Sequence, residues 1–128
     1  MIELLNDISI SDVDKNILPL VLTMNKFGYI TYASCQGHCF PVDRVKPYIA
    51  FKTTEMNAAN LERLLRNDLE SKKGQLHWFW CVTGTLNHNY ELVYSLAPHN
   101  PRYHYYRYRR KTLEQDFITI QQLIKSTL

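Results

Sequence analysis

The sequence has no long apolar run, no leader pattern and few cysteines, and each absence excludes a class of protein. No apolar stretch approaches the roughly 20 residues that a membrane-spanning helix needs. The first residues are acidic in part and lack the basic region and cleavage site of a signal peptide. Three cysteines are an odd number, expected to remain reduced thiols in a protein without a secretion signal. We therefore predict a cytoplasmic protein with no membrane partner.

The chain also lacks low-complexity tracts, an inner linker, a paired Cys-x-x-Cys element and a Gly-x-Gly nucleotide loop. The last two absences give no support to a paired-cysteine metal site or a Rossmann-type cofactor site. A chain of 128 residues with 45% hydrophobic and 21% charged residues is ordinary for a folded protein. We predict one domain that spans residues 1–128.

Hydrophobic periodicity predicts the order helix, strand, strand, helix, strand, strand, an optional fifth strand, helix. The fold class is α/β (α+β), with a mixed or mostly antiparallel sheet of 4–5 strands packed with about three helices in a two-layer sandwich. Residues 75–83 are apolar on both faces, which favours a central strand. The first predicted helix starts at Ser11, or after a cap at Asn16, and reaches Lys26 or Phe27, where Gly28 closes it as a left-handed cap. The other predicted segments are strands 29–35 and 48–52, a helix 55–71 capped by Thr54, strands 75–83 and 88–96, an interruption at Pro98 and Pro101, and a last helix capped by Thr112.

Reactive side chains are concentrated in the loop that follows the first strand. Cys35 and His38 are candidate catalytic residues, because a neighbouring imidazole can activate a thiolate. Ser34, Gly37 and Arg44 are candidate ligand-binding residues of the same region. Three interpretations stay open: a ligand-shaping or structural loop, a thiol or acid–base pair, and a metal site. We predict no metal, because Cys35, His38 and Cys39 supply three ligands and a structural zinc site needs four.

The segment 102–111 contains five cations and no acid, whereas the rest of the chain has more acidic than basic residues. Arginine and tyrosine that alternate along a strand would place cations beside aromatic rings, a combination that binds phosphates and stacks bases. An exposed edge strand blunted by charge, or an extended arm, is the alternative. The candidate nucleic-acid residues are Arg102, Tyr103, Tyr105, Arg107, Arg109, Arg110 and Lys111.

Gly28-Tyr29, followed by residues 31–38 (Thr-Tyr-Ala-Ser-Cys-Gln-Gly-His) and by residues 47–51 (Pro-Tyr-Ile-Ala-Phe) downstream, resemble the Ser-Cys-x-Gly-His loop of a group of small bacterial proteins. More distantly, residues 31–37 are similar to the Thr-Thr-Ser-Ser-Cys-Ser-Gly-Arg loop of the wyosine-synthesis tRNA methyltransferases. Ser34, Cys35 and Gly37 match that loop, and His38 replaces its arginine. This resemblance implies S-adenosylmethionine as a cofactor and tRNA modification on an α/β fold.

The leading hypothesis is a small RNA-associated domain in which a cleft near Cys35, Gly37 and His38 holds a ligand while residues 102–111 engage phosphate. A non-catalytic adaptor with a protein partner is the main alternative. A thiol-dependent enzyme that uses Cys35 and His38 is the second alternative.

Overall fold

The computed structural model describes residues 13–127, which form a four-stranded antiparallel sheet packed with three α-helices. The strand order is β1-β2-β4-β3, and each neighbouring pair is antiparallel. This arrangement confirms the predicted α+β class. The elements are α1 (Leu18–Lys26), β1 (Ile30–Cys35), β2 (Tyr48–Lys52), α2 (Glu55–Glu70), β3 (Trp78–Leu86), β4 (Leu92–Pro101), a 3₁₀ helix (His104–Tyr108) and α3 (Arg110–Lys125).

One face of the sheet carries the core. Ile49 and Phe51 in β2 are buried at alternate positions and lie opposite Leu96 and Tyr94 in β4. Trp80 in β3 continues the same apolar layer. The three helices cover this layer with buried aliphatic and aromatic side chains, which include Leu20, Val21 and Met24 from α1, Leu61 and Leu65 from α2, and Leu113, Phe117 and Ile120 from α3.

The ends of α1 follow from local sequence. Pro19 is in the first turn, where a missing N–H removes no helical hydrogen bond. The cap is Ile17, one residue after the predicted Asn16, and the alternative start at Ser11 lies outside the described residues. Gly28 has φ +94°, and Tyr29 N–H donates to the Met24 carbonyl at 2.9 Å. The predicted left-handed glycine cap is therefore confirmed.

The second helix also begins where the sequence places it. Thr54 Oγ1 accepts a hydrogen bond from Asn57 N–H at 3.1 Å, and α2 starts at the next residue, Glu55. None of the helices within residues 13–127 is long and apolar enough to cross a membrane.

The prediction of a central strand at 75–83 is wrong, because within residues 13–127 β3 pairs only with β4 and forms an edge of the sheet. Trp78 and Trp80 are buried against α3, whereas Phe79 is half-buried beside Arg102. Glu62 of α2 accepts the Val82 N–H at 2.8 Å, which occupies part of the open edge. Pro98 and Pro101 do not end β4 as predicted. They lie in the part of β4 beyond its pairing with β2, where Pro98 is opposite Trp80 and Pro101 is opposite Trp78 of the edge strand β3.

The prediction of a fifth strand or extended arm at 102–111 is also wrong. Residues His104–Tyr108 form a 3₁₀ helix and α3 begins at Arg110. Arg109 is the capping position, whereas the predicted cap Thr112 is buried inside the helix. Thr112 Oγ1 instead accepts the Trp78 Nε1–H at 2.9 Å. This contact with β3 is one that a period-two pattern cannot reveal.

Candidate functional site

The loop between β1 and β2 is held by contacts from distant segments. Gln36 N–H donates to Asp14 Oδ2 at 2.9 Å, which fastens the loop to the segment before α1. Val42 N–H donates to the Arg107 carbonyl at 2.7 Å, so the loop also joins the 3₁₀ helix. Gly37 has φ +88°, a conformation that other residues rarely adopt. These contacts give the loop a defined shape next to α3.

The loop brings Cys35 and His38 together with a third ionisable group, Asp14. The Cys35 sulfur, the His38 ring nitrogen and an Asp14 carboxylate oxygen all lie within 4.8 Å of one another. His38 Nε2 is 4.0 Å from Asp14 Oδ2. Sequence reasoning missed Asp14, because it lies before α1 and no local pattern links it to the loop.

A cleft of about 310 Å³ opens beside this cluster, between the loop and α3. His38 belongs both to the cluster and to the cleft wall, while Cys35 is half-buried behind it. Arg110 crosses one side, where its Nη2 donates to the Cys39 carbonyl at 3.0 Å. The Arg110 Nη1 atom is buried without a hydrogen-bond partner. The lining residues are Asn16, Gln36, Gly37, His38, Cys39, Arg110, Glu114 and Phe117.

Two of the candidate ligand-binding residues lie away from this cleft. Ser34 pairs with Ile49, and its hydroxyl is buried without a hydrogen-bond partner. Arg44 is exposed in a turn, where its N–H donates to the Pro41 carbonyl at 2.9 Å. Gly37 alone of the three lines the cleft.

A larger groove of about 610 Å³ lies at the start of α3. Arg110 lines this groove as well as the cleft, so the two concavities share one wall residue. The walls combine cationic, aromatic and amide side chains, namely His77, Tyr105, Tyr106, Arg109, Arg110, Lys111, Thr112 and Gln115.

The structure separates the cations of residues 102–111 into two groups. Arg102 donates from Nε to the Leu76 carbonyl at 3.1 Å and lies over the Phe79 ring. Arg107 contacts both carboxylate oxygens of Asp43, at 3.0 and 3.1 Å. Both side chains therefore form contacts within the protein.

The other cations lie at the groove. Arg109 and Lys111 are exposed and form no ion pair with an acid of residues 13–127. Tyr103 and Tyr105 are exposed beside them, and their rings stack at 6.0 Å with an angle of 10°. The Arg109 guanidinium lies 5.8 Å from the centre of the Tyr105 ring. We call Tyr103, Tyr105, Arg109 and Lys111 the tyrosine–cation surface.

A buried carboxylate lies behind the groove and was also missed from the sequence. Asp116 is fully buried in α3 and accepts three N–H donors, from the backbone of His77 and Trp78 and the indole of Trp80. Burial raises the pKa of Asp116, and the donors from His77 and Trp80 oppose this rise. His77 Nδ1 is 2.9 Å from Asp116 Oδ1, so the carboxylate orients a ring that lines the groove.

The described residues therefore offer two chemically different features that share Arg110. One is a thiol, imidazole and carboxylate cluster at a cleft, a set that can act in nucleophilic chemistry or ligate a metal. The other is a groove of cations and aromatic rings. Comparison of this chain with known proteins gives no match to any family model, curated protein or solved structure.

Proposed function

We propose that this protein binds single-stranded RNA on the tyrosine–cation surface and receives one nucleotide in the adjoining cleft at Gly37 and His38. The observation that carries this proposal is the position of Arg110, which lines both the groove and the cleft. A strand bound along the groove would therefore present a nucleotide to the Cys35–His38 loop.

Exposed tyrosine rings support base stacking as part of this function. The side chains of Tyr103 and Tyr105 are 55% and 54% exposed, although large aromatic residues are usually well buried. Stacking of a base on an aromatic ring contributes about 1–3 kcal/mol and tolerates any base. The surface therefore suits a strand whose bases are unpaired and accessible.

The start of α3 supports phosphate binding. Arg110 and Lys111 occupy its first turn, which contains no acidic residue. The N-terminus of a helix carries a partial positive charge, so cations here are unfavourable unless an anion lies nearby. Arg109, the residue before α3, adds a third cation next to these two. A phosphate group would offset the repulsion among these three cations.

The salt dependence of RNA binding tests the proposal. We expect a labelled single-stranded oligonucleotide to bind in fluorescence anisotropy, with affinity that falls steeply as salt rises. Each phosphate contact contributes about −0.7 to the slope of log affinity against log salt for single strands. The double variant Arg109→Ala/Lys111→Ala should lose about two such contacts, so the slope should become shallower by about 1.4.

A matched control removes the same charge elsewhere. Lys72 and Lys73 are exposed after α2, and Lys72→Ala/Lys73→Ala should leave the slope unchanged. Tyr105→Leu should weaken binding without changing the slope, because it removes a ring and no charge. An equal change of the salt slope in both double variants would contradict the proposal. Absence of RNA binding at low salt would contradict it as well. Nuclease-resistant capture of a protein partner would then favour an adaptor.

The cofactor is a separate part of the proposal. The resemblance of residues 31–37 to the wyosine-synthesis enzymes makes tRNA the RNA to test first and S-adenosylmethionine the cofactor. A rise in melting temperature on addition of S-adenosylmethionine would support a modification enzyme. No rise at millimolar cofactor would leave an RNA-binding domain without methyl transfer.

A further inference from the structure

Three side chains of different chemistry converge beside the cleft. They are the carboxylate of Asp14, the thiol of Cys35 and the imidazole of His38, and their potential ligand atoms all lie within 4.8 Å of one another. Asp14 lies before α1, Cys35 ends β1, and His38 lies in the following loop. Two separate segments of the chain are therefore folded together to form this cluster.

The distances are close to those of a tetrahedral zinc site. Bond lengths of about 2.0–2.3 Å place neighbouring ligand atoms about 3.5 Å apart. Asp14 Oδ2 and His38 Nε2 are 4.0 Å apart, so closure around an ion needs only a small movement. The His38 side chain is 56% exposed, which leaves its ring free to make that movement.

Backbone N–H groups already orient two of the three ligands. Gln36 N–H donates to Asp14 Oδ2 at 2.9 Å, and Gly37 N–H approaches the Cys35 sulfur at 3.4 Å. Hydrogen bonds of this kind fix the orientation of metal ligands. A metal ion binds the carboxylate and thiolate forms of such side chains, so binding should release protons.

We propose that Asp14, Cys35 and His38 bind a divalent transition-metal ion, with zinc as the best fit. A thiolate and an imidazole select zinc-like ions over magnesium or calcium, which prefer oxygen ligands. Three protein ligands leave a fourth position for water or a substrate atom, as in catalytic zinc sites. Because His38 also lines the cleft, this position lies at the cleft margin. The proposal goes beyond RNA binding and does not depend on it.

Zinc titration of the whole protein, prepared reduced and metal-free, tests this site in the absence of RNA. Competition with a chromophoric chelator should show one zinc ion per chain. Loss of the groups that merely orient a ligand weakens metal binding by about 10–100-fold. Cys35→Ser and His38→Ala remove ligands themselves, so each should weaken zinc binding by about 100-fold or more.

Cys39 provides the matched control. It is an exposed thiol in the same loop and lies outside the cluster, so Cys39→Ser should bind zinc like the unaltered protein. Cobalt gives a second readout. The thiolate-to-metal charge-transfer band should disappear in Cys35→Ser and remain in Cys39→Ser. Zinc should also protect Cys35 from alkylation and leave Cys39 reactive.

Circular dichroism shows whether each variant remains folded, and His38→Ala changes an exposed side chain that the core does not need. Zinc binding that persists in both ligand variants, or that is lost in Cys39→Ser, would overturn the proposed ligand set. Absence of one-to-one binding at micromolar zinc would overturn the site itself. If zinc binds as expected but RNA does not, only the proposed function fails.

Discussion

Gly37 combines a positive φ of +88° with close neighbours on the side where a side chain would project. A Cβ atom there would lie 3.0 Å from Arg110 Nη1 and 3.1 Å from the Pro47 backbone nitrogen. The glycine therefore permits both the loop conformation and the approach of the arginine that lines the cleft and groove. A side chain at this position would force Arg110 or Pro47 to shift by a few tenths of an ångström.

We expect Gly37→Ala to lower the free energy of unfolding by about 2–3 kcal/mol, because it adds backbone strain and displaces Arg110 or Pro47. Gly28→Ala is the matched control. Gly28 has a similar φ of +94°, but its added Cβ would meet only Asn57 Nδ2 at 3.4 Å. This control should cost about 1 kcal/mol, which is the backbone strain alone. Equal losses in urea denaturation would show that the close approach of Arg110 has no energetic consequence.

Residues of the candidate site differ in how far the sequence could reveal them. Cys35, Gly37 and His38 were found because they are adjacent in the chain, and short spacing alone suggests proximity. Asp14 was not found, because its position beside the loop depends on packing of α1 against β1. Ser34 was included for its spacing, and its pairing with Ile49 directs it away from the cleft.

At the scale of elements, Asp116 connects α3 to the beginning of β3. Its carboxylate accepts the backbone N–H groups of His77 and Trp78 and the indole N–H of Trp80. The pattern of α3 alone gives no reason for a charged residue on its apolar face. The carboxylate satisfies donors that would otherwise be buried without partners, at the point where β3 passes under the helix.

We expect Asp116→Asn to lower the free energy of unfolding by about 3 kcal/mol, because an amide NH₂ group would face N–H donors in the core. Asp68→Asn is the control. Asp68 also accepts two backbone N–H groups, from Gln75 and Leu76, but it is only half-buried. Asp68→Asn should lower the free energy of unfolding by only about 1 kcal/mol. A loss at Asp116 no larger than at Asp68 in urea denaturation would contradict the role of burial.

Stability should also depend on pH through Asp116. Burial raises the pKa of this carboxyl above its unfolded value, which is about 3.9. Between the two pKa values the folded protein binds more protons than the unfolded chain, so this contribution to stability falls as pH rises. The Asp116→Asn variant lacks this pH-dependent contribution, because an amide does not titrate. The stability advantage of the unaltered protein over this variant should therefore shrink as pH rises from about 4. A widening advantage over the same range would contradict this assignment.

At the scale of the whole molecule, the β1–β2 loop and the 3₁₀ helix are joined by Asp43 and Arg107. The two side chains are 17% and 31% exposed and lie far apart in sequence. The backbone contact between Val42 and Arg107 accompanies this ion pair. Together they hold the cleft loop against the segment that carries the tyrosine–cation surface.

A double-mutant cycle measures this connection. Asp43→Asn and Arg107→Gln, alone and together, should show a coupling of about 0.5–1 kcal/mol in urea denaturation, because Arg107 Nε contacts both carboxylate oxygens and the pair is partly shielded from solvent. Arg66 and Glu62 form an ion pair within α2 at 2.8 Å and provide a control with a more exposed arginine. Their coupling should be about 0.3–0.5 kcal/mol. Coupling near zero for Asp43 and Arg107 would mean that the ion pair does not hold the loop.

The sequence by itself determined the features that depend on neighbours along the chain. The start of α2 after its Thr54 cap, the glycine end of α1 at Gly28 and the strand at residues 48–52 follow from capping chemistry and periodicity, which act within a few residues. The α+β class follows from the order of these elements.

Only the tertiary structure decided what depends on contacts between distant segments. Trp78 and Trp80 could belong to a central or an edge strand, and the edge position was fixed by the pairing of β4 with β2. Arginine and tyrosine alternate in residues 102–111 as in a strand, but this segment forms a 3₁₀ helix and the start of α3. Arg102 donates a hydrogen bond to the Leu76 carbonyl, and Arg107 donates to the Asp43 carboxylate. Local preferences differ by less than about 1 kcal/mol per residue, so buried hydrogen bonds and packing from elsewhere in the chain outweighed them.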